Sequence, residues 1–266
     1  MSEPKVKLFT RQNDKTLPQL KRDGRVINNR LYVQLHLGDI SPYFLKKYDW
    51  LTMEAARRVP KPDDVSAPIW CSVSSKACLS PIPGTVVYCL EVPISKVLFF
   101  DNLKWDYVLN QVYIPKDDDD LEEYEDYLKK IGLNSRFDFC KDDVRRMYPQ
   151  EVKKITDSWI RIFDLDEWGI WNVCGNIWEI RKEWVTQIIR PGDTFDSDDL
   201  NVCGEGVILM DTWPDGYSDE TGYTTPILTD ESGKPVSEME IPDANAGFFG
   251  LSETVIPRAD EKNRFH

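Results

Sequence analysis

The chain has 266 residues, of which 41% are apolar and 12% aromatic, a composition that supports a folded core and excludes disordered and collagen-like proteins. It lacks an apolar run of the ~18–20 residues that a membrane span needs, and its first residues lack a secretory apolar stretch, so we expect a cytoplasmic protein. The six cysteines form no Cys-x-x-Cys pair, and the histidines are His36 and His266 alone, which argues against a zinc site.

The net charge of −13 belongs to the C-terminal part of the chain. Residues 1–192 hold 29 acidic and 29 basic side chains, whereas residues 193–266 hold 17 acidic and 4 basic ones. A turn-forming run, Arg190-Pro191-Gly192-Asp193, marks the boundary. We therefore predict a net-neutral domain over 1–192 and an acidic extension over 193–266, rich in loops and hairpins. The extension is either solvated or an arm that occupies a basic cleft, in this chain or in a basic protein partner.

Hydrophobic patterning predicts the elements of the first domain in chain order. The predicted strands cover 5–10, 67–73, 85–92, 96–101, 171–180 and 185–189, with 31–35 as a further strand or the start of a loop. The predicted helices cover 14–22, 41–59, about 105–109 and 150–163. The acidic run 117–126 is typical of a solvated helix start or loop. Because strands and helices alternate without a regular βαβ rhythm, we predict an α+β fold with a mainly antiparallel sheet and flanking helices.

The sequence lacks several common catalytic motifs: Gly-rich phosphate loops, Gly-x-Ser-x-Gly and His-Glu-x-x-His. Chemistry that carboxylates, hydroxyls and aromatic rings can supply remains, such as cleavage of an N-glycosidic bond through an oxocarbenium ion. Glu179 is the candidate carboxylate, because it lies in the apolar run Asn176-Ile177-Trp178-Glu179-Ile180, where water is restricted. Alternatively, Glu179 pairs with Arg181 or Lys182 on a solvated sheet face.

Six ordered blocks between about residues 7 and 190 resemble a mostly bacterial family of uncharacterised domains. The blocks are Leu8-Phe9-Thr10-Arg11-Gln12, Tyr48-Asp49-Trp50-Leu51, Pro68-Ile69-Trp70, the segment 99–110, the segment 158–164, and Trp178-Glu179-Ile180. The chain departs from the family pattern near 173–175, where the family has a glutamine.

The layout of this family resembles ADP-ribosyltransferase-type domains. The resemblance implies a split sheet and an enzyme that uses NAD as substrate, without a metal, to modify a protein or nucleic acid. It assigns NAD contacts to Thr10, Arg11, Gln12, Trp70 and Ser72. Glu179 is implied to hydrogen-bond the ribose hydroxyl.

The missing glutamine leaves a different acceptor, an NAD glycohydrolase or an inactive domain open. The competing hypothesis is a non-catalytic acidic module that binds or inhibits a basic partner, and a third is that the extension covers the domain's own cleft.

Overall fold

A six-stranded sheet forms the centre of the computed structural model, which describes residues 3–38, 41–166, 168–195, 202–203 and 207–208. Its strands are β1 (Lys5–Asn13), β3 (Ile69–Ser72), β4 (Thr85–Pro93), β5 (Leu98–Asp101), β6 (Val173–Ile177) and β8 (Val185–Ile189). They lie in the order β5-β6-β3-β1-β4-β8, and all neighbours are antiparallel. The predicted α+β class with a mainly antiparallel sheet is confirmed.

Two small sheets complete the strand inventory of the described residues. The first pairs β2 (Arg25–Ile27) with β7 (Glu179–Arg181), and the second pairs β9 (Val202–Cys203) with β10 (Val207–Ile208). The predicted strand over 171–180 is therefore two strands on different sheets. They part at Trp178, whose indole donates a hydrogen bond of 3.0 Å to the Val59 carbonyl. Beyond residue 195, the predicted acidic extension lies outside the described residues apart from β9 and β10.

Helices connect and cover the strands. They are α1 (Thr16–Asp23), α2 (Arg30–Leu37), α3 (Ser41–Arg58), α4 (Asn102–Leu109), α5 (Asp118–Lys130), α6 (Asp142–Met147) and α7 (Pro149–Ser158). Short 3-10 helices span Ile94–Lys96, Arg136–Cys140, Trp159–Phe163 and Lys182–Trp184. Among the described residues, no helix has both the length and the apolar character that crossing a bilayer requires.

Capping side chains explain where three of the helices begin. The Asn29 side chain accepts a hydrogen bond from the Leu31 N–H and caps α2. The predicted strand or loop at 31–35 is therefore wrong, because these apolar residues lie within a helix that a local cap initiates. Asp101 caps α4 and Asp117 caps α5 in the same way. The acidic run 117–126 is thus the start of a helix, which is one of the two structures predicted for it, and most of its carboxylates are exposed.

The central sheet is covered on both faces. On one face, Trp70 and Phe100 pack with Tyr48 of α3 and Trp105 of α4 in a core rich in aromatic residues. On the other, Leu8 and Tyr88 share a cluster with residues of α1, β2 and β7. Side chains on either face of the central sheet are therefore held between the strands and a covering layer.

Candidate functional site

Five of the six predicted site residues lie on β1 and β3. These two strands and β6 are neighbours in the central sheet. β3 lies between β1 and β6. Ser72 on β3 pairs with Phe9 on β1 and with Cys174 on β6. Because directly opposed residues of antiparallel strands point to the same face, Phe9, Ser72 and Cys174 share one face of the sheet.

A chain of hydrogen bonds joins Gln12, Thr10 and Trp70. The Gln12 Nε2 donates to the Thr10 hydroxyl at 2.8 Å, and that hydroxyl donates to the Trp70 carbonyl, also at 2.8 Å. Thr10 and Gln12 alternate with Phe9 along β1, so their side chains leave the sheet on the face opposite to Ser72. The bond from Thr10 to the Trp70 carbonyl joins β1 to β3 beside Phe9 and Ser72, the paired residues of these two strands.

Arg11 and Ser72 both hold the loop between β3 and β4. The Arg11 guanidinium donates to the Ser80 carbonyl at 3.1 Å, and the Ser72 hydroxyl donates to the Ala77 carbonyl at 3.1 Å. Burial raises the pKa of the Cys78 thiol in this loop to about 12, an effect that the nearby Cys89 thiol reinforces and the Arg11 guanidinium opposes. Cys78 is therefore protonated at neutral pH and unsuited to nucleophilic chemistry.

Trp70 and Asn176 face each other across β3 and β6 and leave polar atoms unpaired in the core. They are 1% and 2% exposed. Within the described residues, the Trp70 indole N–H and both polar atoms of the Asn176 carboxamide lack a hydrogen-bond partner, as does the indole N–H of Trp105. The Trp70 and Trp105 rings lie 5.4 Å apart. We call these three residues the indole–amide cluster. Buried polar groups are nearly always bonded, so this cluster has unused capacity to bind a polar group.

Cys174 completes this part of the face. It is buried opposite Ser72, and burial raises the pKa of its thiol to about 12, with smaller contributions from Asp101 and Asp106. The thiol is thus uncharged at neutral pH and contributes packing and a weak donor to the face.

Glu179 lies apart from these residues, on the β2–β7 sheet. Its carboxylate is buried and pairs with the Arg25 Nε at 2.7 Å and with the Arg181 Nε at 2.6 Å. Ile180, the next residue, packs in the same hydrophobic cluster as Leu8 and Tyr88. Because successive side chains of a strand point to opposite sides, the Glu179 side chain points away from that cluster. Within the described part of the chain, Glu179 forms no hydrogen bond or ion pair with Thr10, Trp70 or Ser72. The pairing with Arg181 matches the ion-pair alternative from the sequence, although the site is buried rather than solvated.

A family model described as "Domain of unknown function (DUF3841)" matches residues 7–186. The chain belongs to this family. The match begins in β1, ends in β8 and stops before the acidic extension. No curated protein and no solved structure matches the chain.

An open depression of about 700 Å³ lies between α1, the start of β4 and the residues that follow β8. It is lined by residues of α1 and by 14, 84–86 and 190–191, including Lys21 and Arg190. None of the predicted site residues borders it. The depression and the indole–amide cluster are therefore separate features of the DUF3841 domain.

Asn176 and Arg25 are the residues of this region that sequence reasoning missed. A signal for Asn176 was present, because an asparagine within the buried apolar run 173–177 is unusual. No local signal exists for Arg25, which meets Glu179 only because β2 and β7 pair.

Proposed function

We propose that the DUF3841 domain of this chain binds NAD and transfers ADP-ribose to a protein or nucleic acid acceptor. The adjacency of β1 and β3 carries the proposal. The resemblance assigns NAD contacts to an opening strand and a middle strand, and these are β1 and β3, which are neighbours in the central sheet, whereas the strand that bears Glu179, β7, lies in a different sheet. Of the indole–amide cluster, Trp70 lies on β3, Asn176 on the neighbouring β6 and Trp105 on α4.

The indole–amide cluster suits the nicotinamide end of NAD. Nicotinamide is a flat ring that bears a carboxamide, so it needs apolar aromatic contacts together with a donor and an acceptor. The Trp70 and Trp105 rings offer the contacts, and the Asn176 carboxamide offers the donor and the acceptor. This complementarity supports nicotinamide binding at β3 and β6, and binding requires the packed aromatic core to open there, because Trp70, Trp105 and Asn176 are at most 2% exposed.

The reaction breaks the bond between the ribose C1′ and the nicotinamide nitrogen. The electron pair leaves with nicotinamide, and an acceptor oxygen or nitrogen, after loss of its proton, bonds to the oxocarbenium carbon. Glu179 is the proposed carboxylate that hydrogen-bonds the ribose hydroxyl. In this proposal it exchanges one arginine partner for substrate, which is feasible because the Arg25 and Arg181 side chains are 33% and 49% exposed.

The test combines calorimetry with NAD and measurement of nicotinamide release by the full chain. We expect Asn176→Leu to weaken NAD binding without lowering the unfolding temperature, since it replaces two unpaired polar atoms by methyl groups on the same branched skeleton. We expect Glu179→Gln to abolish nicotinamide release while the fold persists. Glu183→Gln, an exposed change two residues after Arg181, is the matched control. Absence of NAD binding by the unaltered chain refutes the proposal.

A second candidate function is an acidic module that binds a basic protein. The exposed carboxylates of α5 favour it, as do the 17 acidic against 4 basic residues of 193–266. It predicts no NAD affinity and binding to a basic partner that weakens steeply as salt is added. Calorimetry at two salt concentrations, with NAD and with a basic protein, separates the two candidates.

A further inference from the structure

Lys47 on α3 is a buried lysine that neither candidate function uses. The residue is 3% exposed, and its Nζ lies 3.0 Å from the centroid of the Tyr43 ring and 5.2 Å from that of Phe44. Among the described residues, this amine has no hydrogen-bond partner. A lysine normally extends its head group into water, so one that ends beneath two aromatic rings is costly for the fold.

A neighbouring segment brings three ionisable groups towards Lys47. Arg145 and Asp142 of α6 form an ion pair, and the Arg145 guanidinium lies 5.4 Å from the Tyr43 ring centroid. Cys140, just before α6, is exposed and donates its thiol hydrogen to a main-chain carbonyl. The Lys47 amine and the Arg145 guanidinium therefore contact the same Tyr43 ring, and the Cys140 thiol is close enough to act on the amine electrostatically.

This environment changes the protonation of the amine. Burial lowers the pKa of Lys47 to about 7, the Arg145 guanidinium acts in the same direction, and Cys140 and Asp142 oppose it. Contact with the Tyr43 ring favours the charged form, but it does not replace the lost hydration. A desolvated amine beside another cation is the arrangement that activates lysines for attack on carbonyl groups.

We propose that Lys47 is a covalent binding site for a small carbonyl compound that carries an anionic group. The uncharged Nζ attacks the carbonyl carbon to give a carbinolamine, which loses water to form an imine; the two amine hydrogens and the carbonyl oxygen leave as that water. Tyr43 and Phe44 contact the apolar part of the compound, and the Arg145 guanidinium faces its anionic group. This proposal does not depend on NAD binding.

The experiment treats the full chain with pyridoxal 5′-phosphate, an aldehyde that carries a phosphate, and reduces the adducts with borohydride. Peptide mass spectrometry then gives the rate of modification of each lysine. Lys46, the preceding residue, is exposed and is the internal control. At pH 7 about half of an amine with the pKa of Lys47 is uncharged, against fewer than about one in a thousand for an ordinary lysine. We expect Lys47 to react at least about tenfold faster than Lys46.

Two further comparisons separate the parts of the proposal. The rate at Lys47 should rise between pH 6 and 8 and then level off, whereas an ordinary lysine keeps rising to higher pH. Arg145→Met should slow the reaction with pyridoxal 5′-phosphate more than the reaction with uncharged pyridoxal. Modification confined to exposed lysines, or a Lys47 rate that does not rise between pH 6 and 8, overturns the proposal. The comparison of Lys47 with Lys46 within the unaltered chain does not depend on the folding of any variant.

Discussion

Replacing Glu179 by glutamine removes one negative charge from a buried position and leaves the size of the side chain nearly unchanged. The carboxylate lies 2.7 Å from the Arg25 Nε and 2.6 Å from the Arg181 Nε. A hydrogen bond to a charged group contributes about 1.5–3 kcal/mol when it forms away from water, whereas exposed ion pairs contribute much less. Of these two nitrogens, only the Arg181 Nε donates a hydrogen bond to the carboxylate, whereas the Arg25 contact is an ion pair. Because both arginine side chains are also a third or more exposed, we expect the free energy of unfolding to fall by about 1–2 kcal/mol.

Urea unfolding at neutral pH, followed by tryptophan fluorescence, measures this change. A domain of ordinary stability, about 5–15 kcal/mol, remains folded after such a loss, so nicotinamide release can be assayed on the same variant. The control, Glu183→Gln, should change stability by less than about 0.5 kcal/mol, because the Glu183 side chain is 62% exposed and its nearest arginine nitrogen is 3.6 Å away. An unchanged free energy of unfolding in Glu179→Gln would refute the stabilising role of the two ion pairs. Full nicotinamide release by that variant would remove Glu179 from the proposed reaction.

Three further changes test other parts of the fold by urea unfolding. Asp101→Ala removes the cap of α4, where Oδ1 accepts from two main-chain N–H groups, and should cost about 1–2 kcal/mol; Asp101→Asn keeps an acceptor and should cost clearly less, and equal losses would contradict the capping role. Trp178→Phe leaves the buried Val59 carbonyl unpaired and should cost about 1–3 kcal/mol, whereas no loss would show that the bond is immaterial. Lys47→Met should be more stable than the unaltered chain at pH 7. Because the pKa of Lys47 is about 7 in the folded chain against 10.5 ordinarily, the unfolded chain binds more protons between these values, and the cost of Lys47 falls as pH rises through that window. The stability difference should therefore shrink towards pH 10, and a difference independent of pH would contradict the lowered pKa.

Local pattern was sufficient where the determinants of an element lie within a few residues. The apolar run at 85–92 forms β4 (Thr85–Pro93), and the predicted strand over 185–189 is β8 (Val185–Ile189). The pattern was insufficient at 31–35, where the Asn29 cap selects a helix over a strand. It was also insufficient at Trp178, where the predicted strand over 171–180 divides into two. The Trp178 indole donates a hydrogen bond there to the carbonyl of Val59, the residue that follows α3.

The sequence by itself determined the α+β class, the boundaries of its clearest strands, the charge division near residue 192 and membership of the family through ordered motifs. These properties depend on residue order and on neighbours close in the chain, and the pattern of apolar residues and caps encodes them. Only the tertiary structure decided that β1, β3 and β6 are adjacent, that Glu179 meets Arg25, and that the amine of Lys47 is buried while that of Lys46 is exposed. Each of these depends on contacts between segments far apart in the chain, which form when the apolar faces of sheet and helices are buried together.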